Sequence, residues 1–448
     1  MASLTGERFR SGCVRWWRLS KTWRPERVDA AVYASAGVFA LCTAKFSGIL
    51  LYRQWGEMAA IAYALAALAS EIHWRRHREP PVGRWTRSRA AILLLVFVGA
   101  TLIPLTAEVA WSANGAPGLH AQPEVTVVEA AAHRAYEGQD PYLAPPPGKK
   151  VLAAPPGEPV YEAYFPYLPG MVTFGLASST NAPRQLTDAR VFFILLTILA
   201  SALALGLCRT GAESRVRALQ LLAVLPTAAL PLATGGDDLP VIALMALGLV
   251  MLQRRWPLAA GLVLGLASSL KFTAWPLLAF ALFACYDKYG KRAIGRYSLA
   301  ATAVLVPAVL PAIVANPIAF VDNVIRFPLG LAGVSSPAAS PLPGHLFVTA
   351  FPTLRHLYTF AVVALGILVL AHVLVRHPPV SAAAAARLTA WAMLAAIMLA
   401  PATRFGYLIY PIDLLAWSFV LIEPGKTQQA AEGSLELSTA CQSGSGTS

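Results

Sequence analysis

Acidic side chains follow the long apolar segment at residues 90–111, in a chain that otherwise contains few charges. Glu124 and Glu129 are the first acids of this group. A carboxylate held just outside a membrane can act as a general base that takes a proton from a reacting hydroxyl. The same acids could instead cap a helix or lie in a solvated loop. The side of the membrane they face, and the residues that meet them there, decide between these interpretations.

The segment around Glu124 is predicted to form a short helix. Pro123 suits the first turn, and Gly138 and Pro141 are expected to end the helix. Glu124 then lies at the N-terminus, where the helix dipole favours a negative charge and the side chain can act as a base. Glu129 is five residues further on, roughly 140° around the helix, so the two acids need not face one site. This is therefore not the paired-carboxylate arrangement of a glycoside hydrolase.

The composition predicts a polytopic membrane protein. Of the 448 residues, 56% are hydrophobic and only 13% are charged, whereas about a quarter of the residues in a soluble domain are charged. The apolar runs are continuous, which favours helices over the short alternating segments of a barrel. We predict an all-α transmembrane helix bundle with about 11–12 spans. The candidate spans are 29–52, 56–74, 90–111, 190–208, 217–233, 238–253, 256–270, 273–286, 297–315, 357–376, 388–402 and 405–422.

The basic residues predict how the chain is oriented. With these spans, the cations of the N-terminal tail, of the 75–89 loop and of later basic hairpins such as Arg254-Arg255 all fall on one side. The positive-inside rule assigns that side to the cytoplasm, so both termini are predicted to be cytoplasmic and the protein to lie in the cell membrane. Orientation and anionic lipid explain the net charge of +13 without a nucleic acid partner.

The opposite, extracytoplasmic side collects polar residues from distant parts of the chain. It receives a long loop after the third span, 112–188, and the 316–356 loop. The turns that contain Asp237-Asp238, Lys271 and Arg404 fall there too. Polar residues at helix ends on one side suit an interfacial enzyme, whereas a transport path would distribute them at mid-membrane depth.

Cysteine and histidine residues indicate neither a disulfide framework nor a metal site. The five cysteines lie in apolar segments or in the tails, and no His and Cys residues show metal-ligand spacing. We therefore predict no cofactor and no metal site, and a requirement for a divalent metal is left open.

The residues around Glu124 resemble the first periplasmic loop of the GT-C superfamily of integral membrane glycosyltransferases. The resemblance is to glycosyltransferase family 87, which uses polyprenyl-phosphate sugars. The shared pattern is an acid about eighteen positions before the tyrosine of Gly-x-x-Pro-Tyr, here Gly138 to Tyr142. In the family this acid is usually Asp, and an aromatic residue follows it where this chain has Val128. Two spans also precede the first span that is similar to the family.

A second, longer stretch is also similar to the family. It begins with Thr234-Gly-Gly-Asp237-Asp238-Leu-Pro, continues through the basic hairpin and a Gly-rich helix, and ends with Lys271 before Pro276. Arg404 before Tyr407 also fits, so the resemblance covers about residues 90–422.

The resemblance implies an inverting enzyme that moves a mannose- or arabinose-like sugar from a polyprenyl phosphate to a cell-envelope glycolipid or polysaccharide on the outer face. The leaving phosphate is negatively charged and needs cations beside it. Arg can contact it bidentately, and Lys acts as a point charge. Glu124 is the predicted catalytic base, and Glu129 is the second choice. The predicted substrate-binding residues are Asp237, Asp238, Lys271, Arg326, His345, Arg404, Tyr142 and Tyr164.

The predicted organisation has four parts. A basic cytoplasmic tail at 1–28 precedes two additional spans and a basic loop at 29–89. The GT-C-like catalytic region follows at 90–422, and a disordered cytoplasmic tail occupies 423–448.

Two other functions stay open on the sequence. A polytopic transporter or lipid-linked-sugar flippase would need polar residues along a path through the bilayer, and only Lys45 and Asp413 come close to this. A non-enzymatic envelope scaffold would tolerate substitution of Glu124, Lys271 and Arg404 together.

Overall fold

The computed structural model describes residues 25–76, 87–115 and 117–421. Within these ranges the chain is built from helices and loops, with one isolated β-bridge between Ala339 and Thr403. The predicted all-α fold is confirmed. Residues 1–24 of the predicted tail at 1–28, the predicted tail at 423–448 and residues 77–86 of the predicted basic loop lie outside the described residues, whereas residues 25–28 begin a helix.

We number the longer helices of the described residues in chain order. They are α1 Pro25–Phe46, α2 Leu50–Arg76, α3 Arg87–Asn114, α4 Pro123–Tyr136, α5 Ala189–Leu207, α6 Ala212–Thr234, α7 Asp238–Gln253, α8 Pro257–Leu270, α9 Trp275–Tyr289, α10 Lys291–Ala315, α11 Arg355–Arg376, α12 Ala382–Leu399 and α13 Ile409–Val420. Short α-helices lie at Pro117–His120, Arg184–Thr187, Pro317–Val321 and Pro343–Ala350. Short 3₁₀ segments lie at Val160–Ala163, Pro169–Phe174, Leu176–Ser179, Phe272–Ala274, Pro352–Leu354 and Phe405–Leu408.

Seven helices of the described ranges are long and apolar enough to cross a membrane, namely α1, α3, α5, α6, α10, α11 and α12. Helices α7, α8, α9 and α13 are apolar but shorter, and α2 carries Arg53, Glu57 and Glu71 among its apolar residues. Since a span needs about 20 apolar residues, the seven long helices alone make this a multi-pass membrane protein.

The first turn lies earlier than the sequence predicted. The predicted spans were 29–52 and 56–74, but α1 ends at Phe46 and α2 begins at Leu50. In the turn, the hydroxyl of Ser47 accepts a hydrogen bond of 3.2 Å from the backbone N–H of Ile49. The hydrogen bond to Ser47 therefore stabilises a turn at the end of α1, inside a sequence segment that is otherwise apolar.

Helix α6 is interrupted near its middle. A π-helical turn occupies Gln220–Val224, Leu225 is extended, and Pro226 begins the second half. The carbonyls of Ala223 and Val224 accept hydrogen bonds from the hydroxyls of Thr101 and Tyr63, at 3.0 and 2.6 Å. These hydrogen bonds stabilise the interruption, because a backbone carbonyl without a hydrogen-bond partner in the membrane has an unfavourable free energy.

Candidate active site

Helix α4 matches the helix predicted around Glu124. Pro123 occupies its first position, and the chain turns after Tyr136 at Gly138, whose φ is +75°. Gln122 precedes the helix and attaches it to the end of α6. Its backbone N–H donates to the carbonyl of Thr234 at 3.0 Å, and its side-chain amide donates to the Thr234 hydroxyl at 2.6 Å. Glu124, in the first turn, is thereby held beside the turn that follows α6.

That turn requires a glycine. Gly235 ends α6 with φ of +107°, a conformation that favours glycine. It also packs closely against α4, since a Cβ atom at Gly235 would lie 2.2 Å from Cγ2 of Val125. The close contact brings Asp237 and Asp238, at the start of α7, near the N-terminus of α4.

Lys271 binds both aspartates. Helix α8 ends at Leu270, and the extended backbone of Lys271 directs its side chain into the site. Its Nζ atom donates to Oδ1 of Asp237 at 2.6 Å and to Oδ1 of Asp238 at 2.5 Å. Nζ also lies 4.9 Å from the ring centroid of Tyr167, a favourable cation–π distance. The hydroxyl of Tyr410 donates to the same Asp238 oxygen at 2.8 Å.

Arg404 binds Glu124, although the two residues are 280 positions apart. Its Nη1 atom donates to Oε1 of Glu124 at 2.5 Å. The segment before Arg404 is anchored to the 316–356 loop. There the N–H of Thr403 donates to the carbonyl of Ala338 at 2.8 Å, and the N–H of Ser340 donates to the carbonyl of Thr403 at 2.9 Å.

Charge is unevenly balanced in this group. The three carboxylates of Glu124, Asp237 and Asp238 face the two cations of Lys271 and Arg404. Burial raises the pKa of Asp237 to about 6, and the opposing effect of Lys271 only partly offsets it. Burial lowers the pKa of Lys271, but the two aspartates outweigh it, and the net pKa lies above its usual value. Oε2 of Glu124 and Oδ2 of Asp237 are buried and accept no hydrogen bond.

The charged group lies at one end of a large, mainly apolar cavity of about 1120 Å³. All five charged residues line it, together with Gln122, Tyr167, Thr273 and Tyr407. The remaining walls are mainly apolar and come from α1, α6, the 324–338 segment and the 402–412 segment. A cavity with one charged end and a long apolar remainder fits an amphipathic ligand with an anionic head.

Glu129 faces away from this cavity, in line with its predicted position around the helix. It is buried, pairs with Arg184 and accepts the backbone N–H of Ala189 at 3.0 Å. Burial raises its pKa. These contacts attach α4 to the start of α5.

Four predicted substrate-binding residues do not line the cavity. Tyr142 is buried and donates to the carbonyl of Tyr167 at 2.8 Å, so it supports a residue that does line it. Tyr164 is buried and stacks on Phe327, with ring centroids 4.5 Å apart. Arg326 is exposed and pairs with Asp322 at 2.6 Å. His345 contacts the carbonyl of Pro401 through Nδ1 at 3.0 Å.

Four residues around the charged group were not predicted as functional. Tyr167 and Tyr410 contact its charged side chains. Gln122 attaches the helix that carries Glu124, and the hydroxyl of Thr273 donates to the hydroxyl of Tyr410 at 2.8 Å. Their sequence signals were weak. Gln122 is separated from Glu124 by Pro123 alone, and Tyr167 is one of several aromatic residues in the segment rich in aromatics and prolines before α5. Nothing in its sequence context marks Tyr410 among the aromatic residues of a membrane span.

The arrangement can bind an anion and accept a proton at one place. Each cation is bonded to a carboxylate that has one unpaired oxygen, Lys271 to Asp237 and Arg404 to Glu124. Among the residues that the structure describes, no three His, Cys, Asp or Glu side chains come together in a way that could hold a metal ion.

Comparison with known families identifies part of this architecture. The model of glycosyltransferase family 87 matches residues 169–401, slightly more than half of the chain. Asp237, Asp238 and Lys271 lie inside the matched region, whereas Glu124 and Arg404 lie on either side of it. No curated protein and no solved structure gives a significant match to the chain.

Proposed function

The chain belongs to glycosyltransferase family 87, and we propose that this membrane glycosyltransferase takes a sugar from a polyprenyl-phosphate donor. The acceptor is a hydroxyl of a cell-envelope glycolipid or polysaccharide, and the sugar is mannose- or arabinose-like. The observation that carries the proposal is the charged group of Glu124, Asp237, Asp238, Lys271 and Arg404 at the end of an apolar cavity.

The donor phosphate binds between Lys271 and Arg404. Both cations are largely buried, at 9% and 33% side-chain exposure, so a phosphate there is poorly screened by solvent. In the structure each cation is bonded to a carboxylate, and the phosphate competes with those carboxylates for the same N–H groups. Arg404 can offer two parallel donors and Lys271 a point charge.

Glu124 acts as the base. The acceptor oxygen attacks the anomeric carbon as Glu124 takes its proton, and the bond from that carbon to the phosphate oxygen breaks. The phosphate leaves with the electron pair, and the two cations stabilise its charge. A single displacement of this kind inverts the anomeric configuration. Once the phosphate binds Arg404, either carboxylate oxygen of Glu124 can accept the proton of the acceptor hydroxyl.

The site faces the outside of the cell. The proposal rests on the basic residues of the opposite side, which the positive-inside rule assigns to the cytoplasm. The loops that carry Glu124 and Arg404 then lie outside, and both termini lie in the cytoplasm.

The proposal is tested by replacing Glu124 with Gln. The substitution keeps the size and a hydrogen-bond acceptor but removes the proton-accepting charge. Membranes that contain the variant are supplied with mannosyl or arabinosyl polyprenyl phosphate, and the transferred sugar is measured. We expect transfer to fall by roughly 10²–10⁴-fold, the contribution of a positioned base. The variant should still fold, although its melting temperature should fall because Arg404 loses its charged partner.

Glu137→Gln is the matched control. Glu137 ends the same helix and is about half exposed, so its substitution should leave transfer unchanged. Full transfer by a folded Glu124→Gln variant would refute the role of Glu124.

A further inference from the structure

Helices α1 and α2 precede the matched family region and form part of the cavity. We propose that α1 is a wall of the groove for the donor's polyprenyl chain and that it selects the length of that chain. The inference rests on the proposed function and adds a specificity element to it.

One face of α1 lines the cavity. Val28, Val32, Ser35, Ala36 and Phe39 contribute to it, at the spacing of residues that share one side of a helix. From Val28 to Phe39 this face extends about 16 Å at 1.5 Å per residue. It is apolar except for Ser35, whose hydroxyl donates to the carbonyl of Ala31 at 2.9 Å. A hydrocarbon chain can therefore lie against it without leaving a polar group unpaired.

The cavity continues from this face to the charged group. Tyr52, in the first turn of α2, also lines it and lies within electrostatic reach of Glu124 and Arg404. The Phe39 end of α1 is therefore the end near the phosphate site, and Val28 is the far end. Leu221 and Leu225, at the interruption of α6, also line the cavity.

The wall is a fixed part of the protein. Helix α2 approaches α1 so closely that a Cβ atom at Gly56 would lie 2.6 Å from the carbonyl oxygen of Ala40. Trp55 donates to the carbonyl of Ala100 in α3 at 2.9 Å. Tyr63 donates to the Val224 carbonyl in α6 at 2.6 Å. These buried bonds join the pair α1–α2 to α3 and to α6.

Charges mark the far end of the wall. Asp29 follows Val28 directly and is buried in ion pairs with Arg89 at 2.7 Å and with Arg217 at 2.6 Å. A hydrocarbon chain gains nothing from contact with such a cluster. The apolar wall thus has a defined length between the phosphate site and Asp29, and a chain that fills it is bound more tightly than a shorter one.

The test uses two probes that carry no sugar, geranyl phosphate, whose two isoprene units are shorter than the ~16 Å wall, and decaprenyl phosphate, whose ten units are longer. Equilibrium binding of each to the purified full-length protein is measured at one detergent concentration. We expect the long chain to bind at least ~10-fold more tightly, since on the order of ten additional carbon–carbon contacts with the fixed wall supply that factor. Ser35→Trp, which fills the middle of the groove, should weaken binding of the long chain and so remove this advantage.

Leu41→Trp is the matched control. Leu41 is on the same helix, is 60% exposed and does not line the cavity, so the long-chain advantage should persist. Ala31→Trp is a second groove variant at an exposed position closer to Val28, and it keeps the test decisive if Ser35→Trp does not fold. It should also reduce the long-chain advantage.

Two results would overturn the inference. One is equal binding of both probes by the unmodified protein. The other is an undiminished long-chain advantage in the folded groove variants. Failure of the unmodified protein to bind either polyprenyl phosphate would instead contradict the proposed function.

Discussion

At the scale of single residues, the candidate site consists of ion pairs, and an anionic ligand would have to break some of them in order to bind the cations. Lys271 is shared by Asp237 and Asp238, and Arg404 is held by Glu124. The pairs keep two cations in a largely apolar cavity, where an unpaired charge would be strongly destabilising. Binding of an anionic head therefore exchanges one set of charge contacts for another, and the protonation of the acids should control how favourable the exchange is.

Asp237 makes this control measurable. Its pKa of about 6 lies above the usual 3.8, so Asp237 takes up a proton as the pH falls from 7 to 5, and Lys271 then faces one carboxylate fewer. We expect affinity for the methyl ester of decaprenyl phosphate, a diester that does not titrate in this range, to rise by roughly tenfold per unit of pKa shift on binding. The same raised pKa means that the contribution of Asp237 to folding stability is present at low pH and is lost as the pH rises through about 6.

Asp237→Asn provides the comparison for this pH dependence. The variant should bind the diester at pH 7 at least as tightly as the unmodified protein does at pH 5, and its affinity should change little between these values. An equally steep pH dependence in Asp237→Asn would show that another group is responsible.

The charged residues were predictable from the sequence, but their pairing was not. Glu124, Asp237, Lys271 and Arg404 stood out because charges are rare in this chain and all four were expected on one side. That Arg404 bonds Glu124 depends on the 316–356 loop that anchors Thr403, and no local pattern reveals such a long-range contact. Tyr410 was missed because an aromatic residue in an apolar span carries no visible sign that its hydroxyl bonds an acid.

At the scale of elements, the contact between α4 and the turn after α6 positions Glu124, the proposed base, relative to the aspartates. Helix α4 was predictable because local chemistry determines both ends, with Pro123 at the start and Gly138 at the end. The turn between α1 and α2 was misplaced because it lies within apolar sequence. The interruption of α6 was not predicted, since it depends on partners from α2 and α3, Tyr63 and Thr101.

Gly235→Ala tests this contact. The substitution places a Cβ atom at a φ of +107° and 2.2 Å from Val125, so we expect a loss of more than ~1 kcal/mol in stability. Displacement of α4 should also lower glycosyl transfer. The measurements are thermal unfolding of the purified protein and transfer in membranes.

Gly206→Ala is the control for the substitution itself. Gly206 lies in α5, and a Cβ atom there would meet no atom within 4 Å. Because Ala is favoured over Gly within a helix by up to about 1 kcal/mol, this variant should be at least as stable as the unmodified protein. Equal stability and transfer for Gly235→Ala would show that the contact does not position the site.

At the scale of the whole molecule, the distribution of charge separates two ends. The Asp29–Arg89–Arg217 cluster lies near the N-terminal ends of α1, α3 and α6, and the charged group of the site lies beside the C-terminal end of α6. The apolar cavity runs between them along α1 and α6. This arrangement suits an enzyme whose donor is an amphipathic lipid in the membrane and whose reaction takes place at the membrane–water interface. The general architecture was predictable from composition, whereas the participation of α1 in the cavity was not, because the helix carries no distinctive motif.

The most direct test of sugar transfer from a polyprenyl phosphate is the mass of the lipid that accumulates when Glu124 is replaced by Gln in cells that make this protein. Lipid extracts of these cells are compared by mass spectrometry with those of cells carrying Glu137→Gln. We predict accumulation, only in the Glu124→Gln cells, of a polyprenyl phosphate that carries one sugar, and loss of that sugar from an envelope component. An unchanged pool of sugar-linked polyprenyl phosphates, together with an intact envelope, would contradict the proposed reaction.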